Sequence, residues 1–333
     1  AIKTNFKCNE IYVKMTSEYI EVKDNGTGIP VKTNDDNEYI PMICWGKART
    51  GSNFEDDKNR TQIGYNGVGS FATNCFSKKF IGFTDDGEKS YQITFTNNAD
   101  SFIAKEGPSK VQGTKVTFWP DFEKFGLTEI DETHMNVIRQ RLINLSMSYP
   151  QITFKFNSKK INIQSFKKYV SLFSTTSEIY ETDDYMFAIL PNESDDFRQF
   201  SYVNGLKIPD GGTHIDIISN NIVNGIRDKL SKKFKTIKPG DIKNKLMIIA
   251  FLKNLKNAKF NSQSKEKITK PVSNISSYYG DIPFDKIINK INRNSSIIDP
   301  ITEVYRIKEE FRKRQELKLL NKTTKKIKSE KYL

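Results

Sequence analysis

Three short stretches hold residues whose types and spacing suit the binding of a nucleotide. The first is Asp24-Asn-Gly26-Thr-Gly28-Ile29-Pro30. A carboxylate only accepts hydrogen bonds, so Asp24 can take the exocyclic amino proton of adenine and disfavour guanine, which offers an oxygen there. Ile29 could line the base, and Gly26 and Gly28 let the backbone come close to another group because no side chain intervenes. The same residues would also make an ordinary Asx turn at the end of a strand. The second stretch, Gly64-Tyr-Asn66-Gly67-Val-Gly69, precedes a helix-like segment, Ser70 to Phe76. Successive backbone N–H groups at a helix start form an anion site, although such glycines also make plain turns. No strand runs directly into it and no βαβ unit surrounds it, which excludes a dinucleotide fingerprint. No Gly-Lys-Ser/Thr ending follows, which excludes a P-loop. The third stretch is Gly113-Thr114, at the head of the strand-like Lys115 to Trp119. Between the first two lies a polar segment, Lys47 to Asp57, read as a mobile lid.

These residues need elements to position them. Ile11, Val13 and Met15 alternate, as do Ile20 and Val22, which predicts a two-stranded hairpin ending at Asp24. Ile40 to Gly46 fits a short helix or a strand. Lys79 to Phe83, Lys89 to Asn97 and Lys115 to Trp119 read as strands, the last two joined by a loop containing Pro108 and Gly113. Met135, Ile138, Leu142 and Leu145 share one face of a helix over Asp131 to Met147. Beyond Pro150, Gln151 to Asn157 and Lys160 to Ile163 form a hairpin turning at Asn157-Ser158. Phe166 to Phe173 reads as helix, and Tyr185 to Leu190 and Gln199 to Val203 as strands. Gly211-Gly212 turns into a helix from Thr213, Leu246 to Leu252 is a buried strand, and a long charged helix runs from Ile301. The fold class is therefore α+β, two layers twice over.

With 333 residues, 36% apolar and 12% aromatic, the chain can build two packed cores. Its longest apolar run, Leu246 to Leu252, is far short of a membrane span, and no secretory signal opens it, so a cytoplasmic protein without membrane partners is expected. Cys8, Cys44, Cys75, His134 and His214 lack the spacing of a zinc site or a disulfide framework, so no metal ligands are assigned. Charge is split: residues 1–150 hold 18 basic and 20 acidic side chains, residues 151–333 hold 35 and 20. A net +15 on the second part suits a polyanion such as nucleic acid, or a merely lysine-rich solvated surface. The chain starts at Ala1 without an initiator methionine and ends within a basic helical pattern, and so reads as a fragment.

The order Asp-x-Gly-x-Gly, then Gly-x-x-Gly-x-Gly after a lid, then Gly-Thr on a strand resembles the GHKL (Bergerat-fold) ATPases. Thr50-Gly-Ser52-Asn53-Phe54, Gly113-Thr-Lys-Val-Thr-Phe-Trp-Pro-Asp121 and Gly211-Gly-Thr-His-Ile215 narrow the resemblance to type IIA DNA topoisomerases. It implies a GHKL domain over residues 1–154, a transducer domain of ribosomal-protein-S5-like fold over 155–290, and a basic helical connector over 291–333. It implies ATP and Mg2+ as cofactors, with Asp24 on adenine, Thr114 assisting through water, Ser52 and Asn53 on ribose or phosphate, and Gly64, Tyr65, Asn66, Gly67, Val68 and Gly69 around the phosphates. Gln263-Ser264-Lys265 matches the family's Gln-Thr-Lys loop, with serine for threonine, whose lysine reaches the γ-phosphate; Gln263 and Lys265 are thus the candidate catalytic residues. The family's general-base glutamate and magnesium-binding asparagine would lie upstream of Ala1. Glu10 and Glu18, on the first hairpin, do not replace them. No cleavage tyrosine is carried over.

The implied activity is gating. ATP binding dimerises the protein around double-stranded DNA and hydrolysis resets it, with a separate subunit cleaving DNA, in the host cytoplasm if the chain is phage-encoded. A non-catalytic ATP-gated DNA clamp or mismatch-repair-like module would share the first three motifs, and a basic scaffold would bind nucleic acid with no nucleotide.

Overall fold

The computed structural model describes residues 7–49, 67–161, 163, 165–234, 237–262 and 264–330, the side chains of 323–330 excepted. The chain forms two compact units, one of Ala1–Phe166 with Asn204–Leu206 and Asn254–Ala258, the other of the remainder.

The first unit follows from alternation. β1 (Glu10–Met15) and β2 (Ile20–Asp24) pair antiparallel with Val13 opposite Val22 and Met15 opposite Ile20. After them come α1 (Ile40–Gly46), α2 (Gly69–Cys75), β3 (Ser77–Asp85), β4 (Lys89–Thr96), β5 (Ser101–Pro108) and β6 (Gly113–Pro120). Next are α3 (Phe122–Phe125), α4 (Glu132–Ser148), β7 (Thr153–Phe156) and β8 (Lys159–Lys160). The described strands make one sheet in the order β5-β4-β3-β6-β2-β1-β7-β8. Its registers put Val13, Met15, Ile20, Phe80, Phe118 and Phe95 on one face and lysines such as Lys14, Lys23, Lys79 and Lys115 on the other. The helices cover the apolar face in two groups. Trp45 of α1 packs with Phe80, Tyr91, Ile93 and Phe95, while Leu142 of α4 packs with Val13, Met15, Phe154 and Phe156. Val22 lies on the column between the two groups and is 38% exposed.

The loop expected between Asn97 and Lys115 is largely strand β5. Phe102-Ile103-Ala104 is a continuous apolar run with no alternation to read, because β5 is an edge strand bonded only to β4 and exposed along most of its length. The segment Ile40 to Gly46 is a helix, started by Pro41 in its first turn.

The second unit contains α5 (Phe166–Val170), whose first residue belongs to the first unit, then β9 (Glu178–Glu181), β10 (Tyr185–Pro191), β11 (Arg198–Val203), β12 (Leu206–Ile208) and α6 (Thr213–Leu230). α7 (Pro239–Lys243), β13 (Leu246–Leu252), α8 (Val272–Tyr279), α9 (Phe284–Arg293) and α10 (Ser295–Glu330) complete it. Its sheet runs β12-β11-β13-β10-β9 with β11 parallel to β13. Every residue of β13 is buried, as its unbroken apolar run requires. α6 buries Ile215, Ile218, Ile222 and Ile226, a helical stripe. The other side of the sheet is covered too. Tyr202 stacks on Phe251 at 4.3 Å between ring centroids, and Tyr169 meets Phe251 edge-on at 5.2 Å. This sheet thus has cover on both faces, where the sequence suggests two layers. α10 begins before Ile301 and passes through Pro300, because Ile297, Ile298 and Ile301 are buried and hold its first turns.

Candidate nucleotide site

Cross-strand pairing places Asp24, Thr114 and Thr84 side by side on the helix-bearing face, at the ends of β2, β6 and β3. One row inward lie Val22 and Val116, so a polar edge borders an apolar floor. Asp24 Oδ1 accepts the N–H of Gly26 at 2.8 Å, closing the Asx turn. Its Oδ2 accepts no bond among the described residues. The turn and the nucleotide-binding reading are therefore compatible, since among the described residues the turn occupies only one of the two oxygens.

Two glycines allow this packing. Gly28 has φ +75°, and a Cβ there would lie 2.1 Å from the Asp85 carbonyl oxygen. Gly113 has φ +144°, and a Cβ there would lie 2.3 Å from the Asp24 carbonyl oxygen. Both sites demand glycine for conformation and for space. Thr84 ties them together: its hydroxyl oxygen accepts the Ile29 N–H at 2.6 Å and faces the Gly113 carbonyl at 3.5 Å. Asn25 fastens the turn to β1 by accepting the N–H groups of Asn9 and Glu10. Gln112 donates to the carbonyls of Thr27 and Asp86. The buried Thr27 hydroxyl has no partner among the described residues.

The sequence reading missed the pair beneath this loop. Asp85, fully buried, accepts from the Ser109 hydroxyl at 2.7 Å and the N–H groups of Lys110, Val111 and Gly87. Burial by itself would raise its pKa, but those donors, led by the Lys110 N–H, hold it below the usual carboxylate range. Asp86 accepts from Val31, Glu88 and Lys89, with the same outcome. Asp85-Asp86-Gly87 reads locally as a hairpin turn. The doubled carboxylate is the only local signal for its second role, binding two distant loops.

Asp24, Gly26, Gly28, Ile29 and Thr114 are thus brought together. Gly67, Val68 and Gly69 lead into α2 on the same face, and among the described residues no side chain caps that helix. Ser70 is occupied in donating to the Cys44 carbonyl at 2.6 Å. Ser52, Asn53, Gly64, Tyr65, Asn66 and Gln263 lie outside the described residues. Glu10 is salt-bridged to Lys155 at 2.6 Å and Glu18 sits in the β1–β2 turn. Lys265 belongs to the second unit, half-buried with φ +60°, its pKa lowered by burial. His214 is sealed in the same unit, with Nε2 2.8 Å from the equally buried Ser201 hydroxyl.

A family model described as DNA gyrase B matches residues 133–319, more than half of the chain. The chain belongs to the DNA gyrase B family. Its relatives include the DNA topoisomerase large subunit of Enterobacteria phage T4, 35% identical over 308 residues, which are 91% of this chain and 59% of that protein. The probable DNA topoisomerase 2 of Dictyostelium discoideum is 31% identical over 92% of this chain and 21% of its own length. The chain therefore spans a little over half of the phage relative and about a fifth of the cellular one. The solved ATPase region of Saccharomyces cerevisiae topoisomerase II matches with TM-score 0.82 and 32% identity, covering 90% of this chain and 81% of that one. The ATPase and transducer domains of the Balamuthia mandrillaris enzyme share the fold at TM-score 0.83 and 24% identity, covering 91% and 81%. The α+β class expected from the sequence is the fold of this gyrase B family member.

Proposed function

We propose that this chain is the ATP-binding and gating region of a type II DNA topoisomerase. In this reading residues 1–154 are its GHKL domain, residues 155–290 its transducer and residues 291–333 a basic helical connector. The observation that carries this is Asp24: in a gyrase B family member, a carboxylate with one oxygen fixed by Gly26 presents the other beside Thr114, at the edge of an apolar floor. Such an acceptor takes the adenine amino group, Val22 and Ile29 supply apolar surface for the ring, and the Thr114 hydroxyl assists through water. The N–H groups at Gly67 to Gly69 receive phosphate, joined by Tyr65, Asn66 and Gly64, with Ser52 and Asn53 on ribose or phosphate. Lys265, two positions after Gln263 in the sequence, neutralises the outermost phosphate. A half-buried ammonium suits that role because a bound phosphate restores the charge that burial disfavours.

Mg2+ belongs to this reading as a cofactor of the parent protein. Among the described residues no group of three or more His, Cys, Asp or Glu could hold a metal ion, so no step is assigned to it here. The partners are double-stranded DNA, met by the basic second unit, a second copy of the chain at the gate, and a separate cleavage subunit. The name of the phage relative, a large subunit, supports the last. No described helix is long and apolar enough to cross a membrane, and we place the protein in the cytoplasm, that of a host cell if phage-encoded.

The test is Lys265→Ala in the complete protein. DNA-stimulated ATP turnover should be nearly abolished with the melting temperature unchanged. Unchanged turnover would remove Lys265 from the site.

A further inference from the structure

Residues 259–262 and 266–270 pair as the two arms of a hairpin, with Lys265 where the second arm begins, and the second arm is clamped to the start of α6. Within the hairpin, Phe260 bridges Ile268 antiparallel, the Thr269 N–H donates to the Lys259 carbonyl at 3.0 Å, and the Lys265 N–H donates to the Ser262 carbonyl at 3.1 Å. Its described tip residues are exposed apart from the half-buried Lys265, and Ile268 is the buried anchor, three positions away. The hairpin's own bonds thus fix the Lys265 backbone within the hairpin but not where the hairpin sits.

The segment Asp210 to Thr213 fixes that, through the arm that follows Lys265. Gly212 bridges Ile268 in parallel, and the Ile268 N–H donates to the Gly211 carbonyl at 2.9 Å. The Asp210 N–H donates to the Glu266 carbonyl at 2.9 Å, next to Lys265 itself. The Thr213 hydroxyl donates to the Lys270 carbonyl at 2.8 Å. Gly212 has φ +122°, and a Cβ on it would fall 2.2 Å from the Ile268 carbonyl oxygen, so only glycine allows the two backbones this close. The next residue, His214, fixes the same helix end to β11 through Ser201, and its carbonyl accepts the Tyr279 hydroxyl of α8 at 2.9 Å.

We infer that Gly212 and Thr213 are positioning residues for Lys265: they lock its hairpin to α6, so that lysine and helix move as one body. The inference rests on the proposed role of Lys265 and adds the device that aims it. Displacing a charged group by about 1 Å from a reacting phosphate costs up to about a hundredfold in rate, so a loosened clamp shows in turnover before it shows in folding. When the helix reorients, the lysine must follow.

The experiment uses the complete protein and compares Thr213→Val, Thr213→Ser, Gly212→Ala and Lys265→Ala in DNA-stimulated ATP turnover, with melting temperatures alongside. Thr213→Val should lower kcat about tenfold or more while KM for ATP stays within about twofold, the pattern of a lost transition-state interaction. Thr213→Ser, which keeps the donor, should restore turnover. Gly212→Ala should resemble Thr213→Val; should it fail to fold, Thr213→Val with its serine rescue still decides. Neither substitution should deepen the loss already caused by Lys265→Ala, because residues acting through one group are not additive. Wild-type kcat in Thr213→Val, or losses that add to that of Lys265→Ala, would overturn the positioning role. Full turnover in Lys265→Ala would instead overturn the function proposed for the lysine, and the clamp's role with it.

Discussion

Burial drives the pKa of His214 down to about 3, from 6.5 for an ordinary imidazole. Because the folded value is depressed, the native state refuses a proton that the unfolded chain accepts. The stability this neutral histidine permits is fully present above pH 6.5 and is lost as pH falls toward 3. At pH 5 the loss amounts to about 2 kcal/mol. Denaturant unfolding at pH 7 and pH 5 should show that increment in the native sequence and a smaller one in His214→Gln; identical pH dependence would contradict it. Asp85 is the second residue whose surroundings set its worth. Asp85→Ala removes the buried carboxylate that the Ser109 hydroxyl and the N–H groups of Lys110, Val111 and Gly87 all share, and should cost roughly 1–3 kcal/mol of unfolding free energy. At this scale the sequence disclosed Asp24 and Thr114, whose types and neighbours announce a role. It concealed Thr84, Asp85 and Asp86, each of which also bonds a partner 24 to 55 positions away. Ordinary residues become essential only when folding supplies the donors.

Among the elements, those with one clear period were legible. β13 carries seven consecutive apolar residues and is buried throughout, and α4 presents Met135, Ile138, Leu142 and Leu145 to the β1–β7 core. β5 was not, because an exposed edge strand has no buried face to impose alternation. α8 and α9 also went unread: α8 buries only Ile275 and Tyr279, and Ile287, Ile288 and Ile291 of α9 span just over one turn. The loop elements depend on glycine instead of periodicity. Gly28→Ala must move either the Asp24 turn or the β3 end, since its Cβ would strike the Asp85 carbonyl at 2.1 Å. A loss of roughly 1–3 kcal/mol is expected from thermal or denaturant unfolding, together with weaker nucleotide binding. An alanine variant as stable as the native protein would mean that the loop is not held as described.

For the whole molecule the division of charge matters most, with net +15 on residues 151–333 against −2 on residues 1–150. Duplex DNA held by phosphate contacts should bind with little sequence preference and lose about tenfold or more in affinity between about 50 and 200 mM salt. A salt-independent affinity would contradict an electrostatic surface. The central claim, however, is that Asp24 selects an adenine nucleotide, and titration calorimetry with a nonhydrolysable ATP analogue tests it most directly. The account predicts saturable binding by the native protein, a GTP analogue bound far more weakly, and Asp24→Asn weakened by more than about tenfold, as loss of a charge-assisted bond requires. Equal affinity of Asp24→Asn for the ATP analogue would contradict it.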